Sequence, residues 1–174
     1  MDFAIDQPAI DPPVPSKVSA KSIDPSPADV LIQAKSIRFQ GSIPEKNRVT
    51  VHLTDLLERD GQIFIRYTIR NDTKRTYVPG SPLVAFLNTP RYRESLYGLA
   101  NSQLSQDLVE RLKSSGETPI EAAAGEIRSS RIEPGQETTG IIAIKLPLEH
   151  AAPAVLRLTF LADPKGPVNA TLVL

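Results

Sequence analysis

Between Asp60 and Leu87 apolar and polar residues alternate. Ile63, Ile65, Tyr67 and Ile69 fall on one phase and Phe64, Arg66, Thr68 and Arg70 on the other. A period of two is that of a strand with one face buried. Asp60-Gly61 supplies turn chemistry before this strand and Asn71-Asp72 after it. The same period recurs at Val49, Val51 and Leu53, at Leu156, Leu158 and Phe160, and at Val168, Ala170, Leu172 and Leu174. Residues 30–39 predict one strand or two short ones, 83–87 and 140–147 one strand each, and 54–59 a connection to the Asp60-Gly61 turn. A pleated apolar face needs a second layer to cover it. Short strands punctuated by Gly and Pro, without βαβ alternation, predict a mainly β, antiparallel sandwich over residues 30–174.

Two segments break the pattern. From about 89 to 125 the period lengthens: Thr89-Pro90 suits a helix start, and Leu96, Ala100, Leu104, Leu108 and Leu112 recur every four residues, widened by Leu99 and Val109. Gly98 and Asn101-Ser102 divide this insertion into two short helices, and Gly116 ends the second. Thr118-Pro119-Ile120-Glu121 has capping-box spacing, so a further helical turn is expected over 122–124, before Gly125. The leucine stripe is expected to pack on the sandwich, with a docking face as the alternative. The other segment, residues 1–29, contains Pro8, Pro12, Pro13, Pro15, Pro25 and Pro27 and predicts an extended arm or linker. Phe3, Ile5, Ile10, Val14, Val18 and Ile23 give it apolar attachment points for a neighbouring subunit, which a plain spacer would not need.

Composition narrows the chemistry. Lys+Arg 20 balances Asp+Glu 20, so no broad basic field draws phosphate and nucleic acid is not an expected partner. Arg66, Arg70, Lys74 and Arg75 form at most a local patch, read as a solvated face. With no cysteine there is no disulfide, thiol nucleophile or thiolate site. His52 and His150 carry no metal-ligand spacing, and neither a Gly-x-Ser-x-Gly elbow nor a phosphate loop is present. No enzyme activity, cofactor or metal is expected. Residues 1–13 lack a basic n-region and an apolar run of signal-peptide length, which fits a cytosolic chain or one whose leader has been removed. No stretch approaches the roughly 20 apolar residues of a membrane helix.

Two phrases of the sequence resemble the signatures of bacterial immunoglobulin-like accessory domains. One runs from Leu53-Thr54-Asp55 through the strand that ends in Asn71-Asp72-Thr73. The other is Ile132-Glu133-Pro134-Gly135-Gln136-Glu137-Thr138, leading into a strand that closes on Pro147. Such domains occur in telokin-like envelope lipoproteins and, in related form, in intracellular proteinase inhibitors. The resemblance implies an immunoglobulin-like sandwich that binds or assembles without catalysis. Two functions are then expected. The first is a structural subunit of a cell-envelope (periplasmic) or virion assembly, joined through the arm and open strand edges to other protein subunits, a second copy of itself included. The second is a soluble binding module, either a ligand-binding accessory domain or a proteinase-inhibitor-like domain presenting the 73–81 loop, with Arg75 and Tyr77 as accessible contact residues.

Overall fold

A computed structural model describes residues 34–42, 46–89, 96–145 and 153–174. The strand predicted from the central alternation is β4 (Gln62–Asn71), which buries Ile63, Ile65, Tyr67 and Ile69. It lies mid-sheet between β3 (Val49–Arg59) and β9 (Glu137–Lys145), antiparallel to both. Short β1 (Lys35–Ser36) and β8 (Ala122–Ile127) complete this first sheet in the order β1-β3-β4-β9-β8.

The second sheet contains β2 (Arg38–Gln40), β5 (Leu83–Leu87), β6 (Ser102–Leu104), β7 (Glu117–Ile120), β10 (Val155–Asp163) and β11 (Gly166–Val173), in the order β2-β6-β11-β10-β5-β7. Its pairs are antiparallel except β2 with β6. Leu156, Leu158, Phe160, Val168, Ala170 and Leu172 meet the inner face of the first sheet in one core. Tyr67 stacks edge-on against Phe160 with ring centroids 5.2 Å apart. A Cβ at Gly140 would come within 2.5 Å of the Tyr67 ring, so only glycine fits there. The mainly β sandwich is as predicted.

Several local expectations give way to tertiary context. Residues 54–59 are strand, not connection: a bulge between Leu53 and Asp55 resets the phase of β3, so that Leu56 faces the core. The turn predicted at 122–124 is absent as well. Residues 117–127 run as β7 and then β8, because pairing with β5 and β9 outweighs a capping-box spacing and an alanine run. This stretch leaves one sheet and joins the other at Glu121. The segment 35–40 makes the same switch at Ile37 on the opposite flank, where Ile37 N–H donates to Thr54 O at 2.9 Å. Ile37 and Ile120 pack against the core at the two crossings.

The insertion is only partly helical. Leu96 and Tyr97 are helical, a turn spans 98–101, Leu104 lies in β6, and α1 (Gln106–Arg111) ends well short of Gly116. Its stripe nonetheless packs inward: Leu96, Leu104 and Val109 form a second cluster with Leu87, Val155 and Val173, against which Leu99, Leu108 and Leu112 lie. The insertion therefore caps one end of the outer face of the second sheet. Pro90, the remaining strand residues 30–33 and 146–147, His150 and the 1–29 arm fall outside the described residues.

Candidate interaction surface

The two phrases that carry the family resemblance interlock at one corner. Asn71, fully buried at the end of β4, donates from Nδ2 to Arg75 O (2.8 Å) and Ile132 O (2.9 Å), while its Oδ1 accepts from Thr73 N–H and Thr73 Oγ1–H. Its backbone closes the Pro134-Gly135 turn: Gly135 N–H donates to Asn71 O at 2.7 Å, and Asn71 N–H to Gln136 O at 2.9 Å. A buried amide with all its capacity used fixes the loop that follows. Thr76 Oγ1–H adds a bond to Glu133, whose carboxyl is held below its usual range first by that bond and then by Arg131.

Tyr77 is not the accessible side chain expected from the sequence. It is 6% exposed, pairs through its backbone with Ile132, and donates its hydroxyl to Leu161 O at 2.6 Å. Burial raises its pKa, with a further push from Asp163. A loop pinned by Asn71 and anchored by Tyr77 leaves Lys74 and Arg75 exposed, outside every ion pair found among the described residues, together with Val78, Gly80 and Ser81.

Immediately beyond Tyr77 the surface turns apolar. Val78 is 52% exposed, Leu83 76% and Leu161 58%. Leu83 and Leu161 adjoin on the sheet, and Val78 directly precedes the Pro79-Gly80 turn that touches Leu161. Leu161 N–H reaches Pro79 O at 3.4 Å, and a Cβ on Gly80 would lie 3.3 Å from Leu161 Cδ1. Leu83 faces Thr159 in register, two residues before Leu161 on β10, so both leucines project from the outer face of the second sheet. The group thus occupies the end of that face which the insertion leaves bare. Scattered exposed leucines need no explanation, whereas adjoining ones make this the candidate contact surface. The sequence signal was present in the phase of β10, since Leu161 breaks the inward series of Leu156, Leu158 and Phe160. Leu83 gave none, as it heads a run of five apolar residues.

The strand edges, expected to accept an added strand, are poorly suited to it. β7 carries Pro119, and β8 is bulged between Ala122 and Ala124. At the other flank the free edge of β3 is plugged by side chains. Gln103 donates from Nε2 to Val51 O and accepts Leu53 N–H, each at 2.7 Å, as a neighbouring peptide group would. Asp163 accepts Val49 N–H at 2.9 Å and lies 3.7 Å from Arg48. Gln103, Arg48, Val49 and Val51 border a groove of about 520 Å³ between β3 and β11, also lined by Phe39, Asp107, Lys165 and Asn169. Asp107 is held below the usual carboxylate range first by Ser105 and then by Ser42. Gln103 and Asp107 thus serve the fold, whereas Asn169 Oδ1 on the same groove is buried without a hydrogen-bond partner among the described residues.

Among the remaining predicted positions, Arg66 and Arg70 do share the outer face of β4, but they are paired with Asp55 and Asp72. His52 packs edge-on to Phe39 at 6.0 Å. Among the described residues no group of three or more His, Asp or Glu side chains could hold a metal, and no helix is long and apolar enough to cross a membrane. Phe3, Ile5, Ile10, Val14, Val18 and Ile23 lie outside the described residues.

No protein-family model matches the chain, and no curated protein does. Solved structures similar in shape include the following three. The archaellum periplasmic stator protein FlaG from Sulfolobus acidocaldarius is 11% identical, with 71% of this chain and 99% of that one covered and a TM-score of 0.38. The stator complex of FlaF and FlaG from the same organism is 12% identical, with coverages of 79% and 99% and a TM-score of 0.39. A β-sandwich protein from Clostridium difficile 630 is 10% identical, with coverages of 80% and 95% and a TM-score of 0.39. At such values none of them bears on what this chain does.

Proposed function

We propose that this chain is a non-catalytic interaction module of the immunoglobulin-like accessory kind. In this reading it joins other protein subunits, a second copy of itself among them, in a cell-envelope or virion assembly. The observation that carries the reading is the bare apolar group of Val78, Leu83 and Leu161 on a face whose other end is covered by the chain itself. Full burial of one such side chain would be worth roughly 1.5–3 kcal/mol, which gives a partner a driving force. The arm, through Phe3, Ile5, Ile10, Val14, Val18 and Ile23, is the second contact element. The inhibitor reading loses its support with Tyr77 buried.

Sedimentation of the full chain and of a chain lacking residues 1–29 tests this. The shortened chain is expected to keep its β circular dichroism and lose its association. Unchanged association would remove the arm from the account.

A further inference from the structure

We propose that the groove between β3 and β11 binds a neutral saccharide of roughly one or two rings. Its volume of about 520 Å³ is that of a small-molecule site, and it shares no residue with the Val78, Leu83 and Leu161 surface.

Both walls of the groove carry unmatched backbone groups. On β3, Gln103 takes Val51 O and Leu53 N–H, and Asp163 takes Val49 N–H. The N–H and C=O of one strand residue point to the same neighbour, so Val49 O and Val51 N–H also face the groove. On β11, Pro167 O accepts from Arg48 at 3.1 Å and Val173 O from Asn101 N–H at 2.9 Å. The alternate residue Asn169 therefore turns its own N–H and C=O to that side. β6 pairs with β11 only from Thr171 to Val173 and leaves Asn169 uncovered. No hydrogen bond among the described residues reaches these backbone groups. The Asn169 side chain adds another, since its Oδ1 is buried with no donor. Buried polar atoms are nearly always matched, and one that is not calls for a partner from outside the chain.

The chemistry of this set selects the ligand. Val49 O, Asn169 O and Asn169 Oδ1 accept, while Val51 N–H and Asn169 N–H donate. Closely spaced groups that both donate and accept are hydroxyls. Charge is not what the groove recognises. Arg48 is engaged with Pro167 O and Asp163, Lys165 donates to Lys46 O, and Asp107 and Glu110 balance them along the same lining. An extended peptide would need the neighbouring positions on β3, which Gln103 and Asp163 already fill. Phe39, on the lining and 39% exposed, supplies an aromatic wall. The negative face of such a ring attracts C–H groups, which a sugar presents on one side.

The full chain, labelled for amide NMR, is titrated with maltose, cellobiose, lactose and diacetylchitobiose. At least one sugar is expected to shift the Val51 and Asn169 amides saturably, with a Kd of about 1 mM or tighter. Asn169→Leu removes the orphaned oxygen at similar volume and should weaken that sugar about tenfold without lowering the unfolding midpoint. An oxygen that serves only the fold, through an enclosed water, predicts the reverse: lost stability and unchanged sugar binding. That result overturns the proposal. Phe39→Ala should also weaken binding about tenfold, whereas Arg59→Ala, at the β3–β4 turn, should not. The proposal is equally overturned if none of these sugars moves the two amides at about 20 mM, or if all variants bind alike. Shifts produced by acetyl-dialanine amide and not by the sugars would make the groove a peptide site and reject the saccharide.

Discussion

The two ends of the outer face of the second sheet are made of similar residues and treated in opposite ways. At one end Leu87, Val155 and Val173, with Leu104 of β6 beside them, pack with Leu96 and Val109 of the insertion, and all are buried. At the other, Leu83 and Leu161 sit on the same two strands, β5 and β10, and face outward with Val78. The strands do not differ; the cover does. Aliphatic side chains on one surface therefore divide into those that hold the fold and those available for contact, and mutation should separate them.

The sharpest separation is expected from Leu96→Ala. Leu96 is 1% exposed in the covered cluster, so its loss should cost about 2–5 kcal/mol in denaturant unfolding. A loss under about 1 kcal/mol would show that the insertion is not a structural cover. Gly80→Ala should cost about 1–2 kcal/mol, because φ there is +62° and the added methyl meets Leu161.

Tyr77→Phe removes the hydroxyl bond to Leu161 O beneath the bare end and should cost about 1 kcal/mol at neutral pH. Its pH dependence has a definite sign. Burial raises the pKa of Tyr77 and pushes that of Tyr67 up to about 12, above the ordinary value of 10.0. The folded state thus keeps protons that the unfolded state gives up, and stability present below pH 10 is lost as pH rises through the folded values. Unfolding between pH 9 and 12 should show this decline, shallower in Tyr77→Phe and in Tyr67→Phe. Smallest of all, Leu83→Ser should change stability by no more than about 0.5 kcal/mol while weakening association. A large stability loss there would break the comparison.

Much of this architecture was legible in the sequence. The alternation through Ile63, Ile65, Tyr67 and Ile69 specified a central strand, because a period of two has one physical solution when one face is buried. The leucine stripe was legible as cover, though not as strand at Leu104, since spacing cannot reveal which neighbour a residue finds. Thr118-Pro119-Ile120-Glu121 misled because a local capping pattern competes with pairing partners that lie in β5, remote in sequence. The candidate surface was hardest to see. Tyr77 has the chemistry of an exposed contact and the position of an anchor, and only Asn71 and Ile132, brought to it by folding, decide between them.

The sheet switches at Ile37 and Glu121 bear on solubility. A protein built mostly of strands risks endless side-by-side stacking wherever a long, level border is left open. Here the outermost strands at each flank belong to one segment that serves one sheet for a few residues and then the other, and the stretch of β3 left uncovered is occupied by Gln103 and Asp163, so no incoming strand could follow either border far. Limited, saturable contact at one apolar group is compatible with such borders, whereas filament growth by lateral stacking is not.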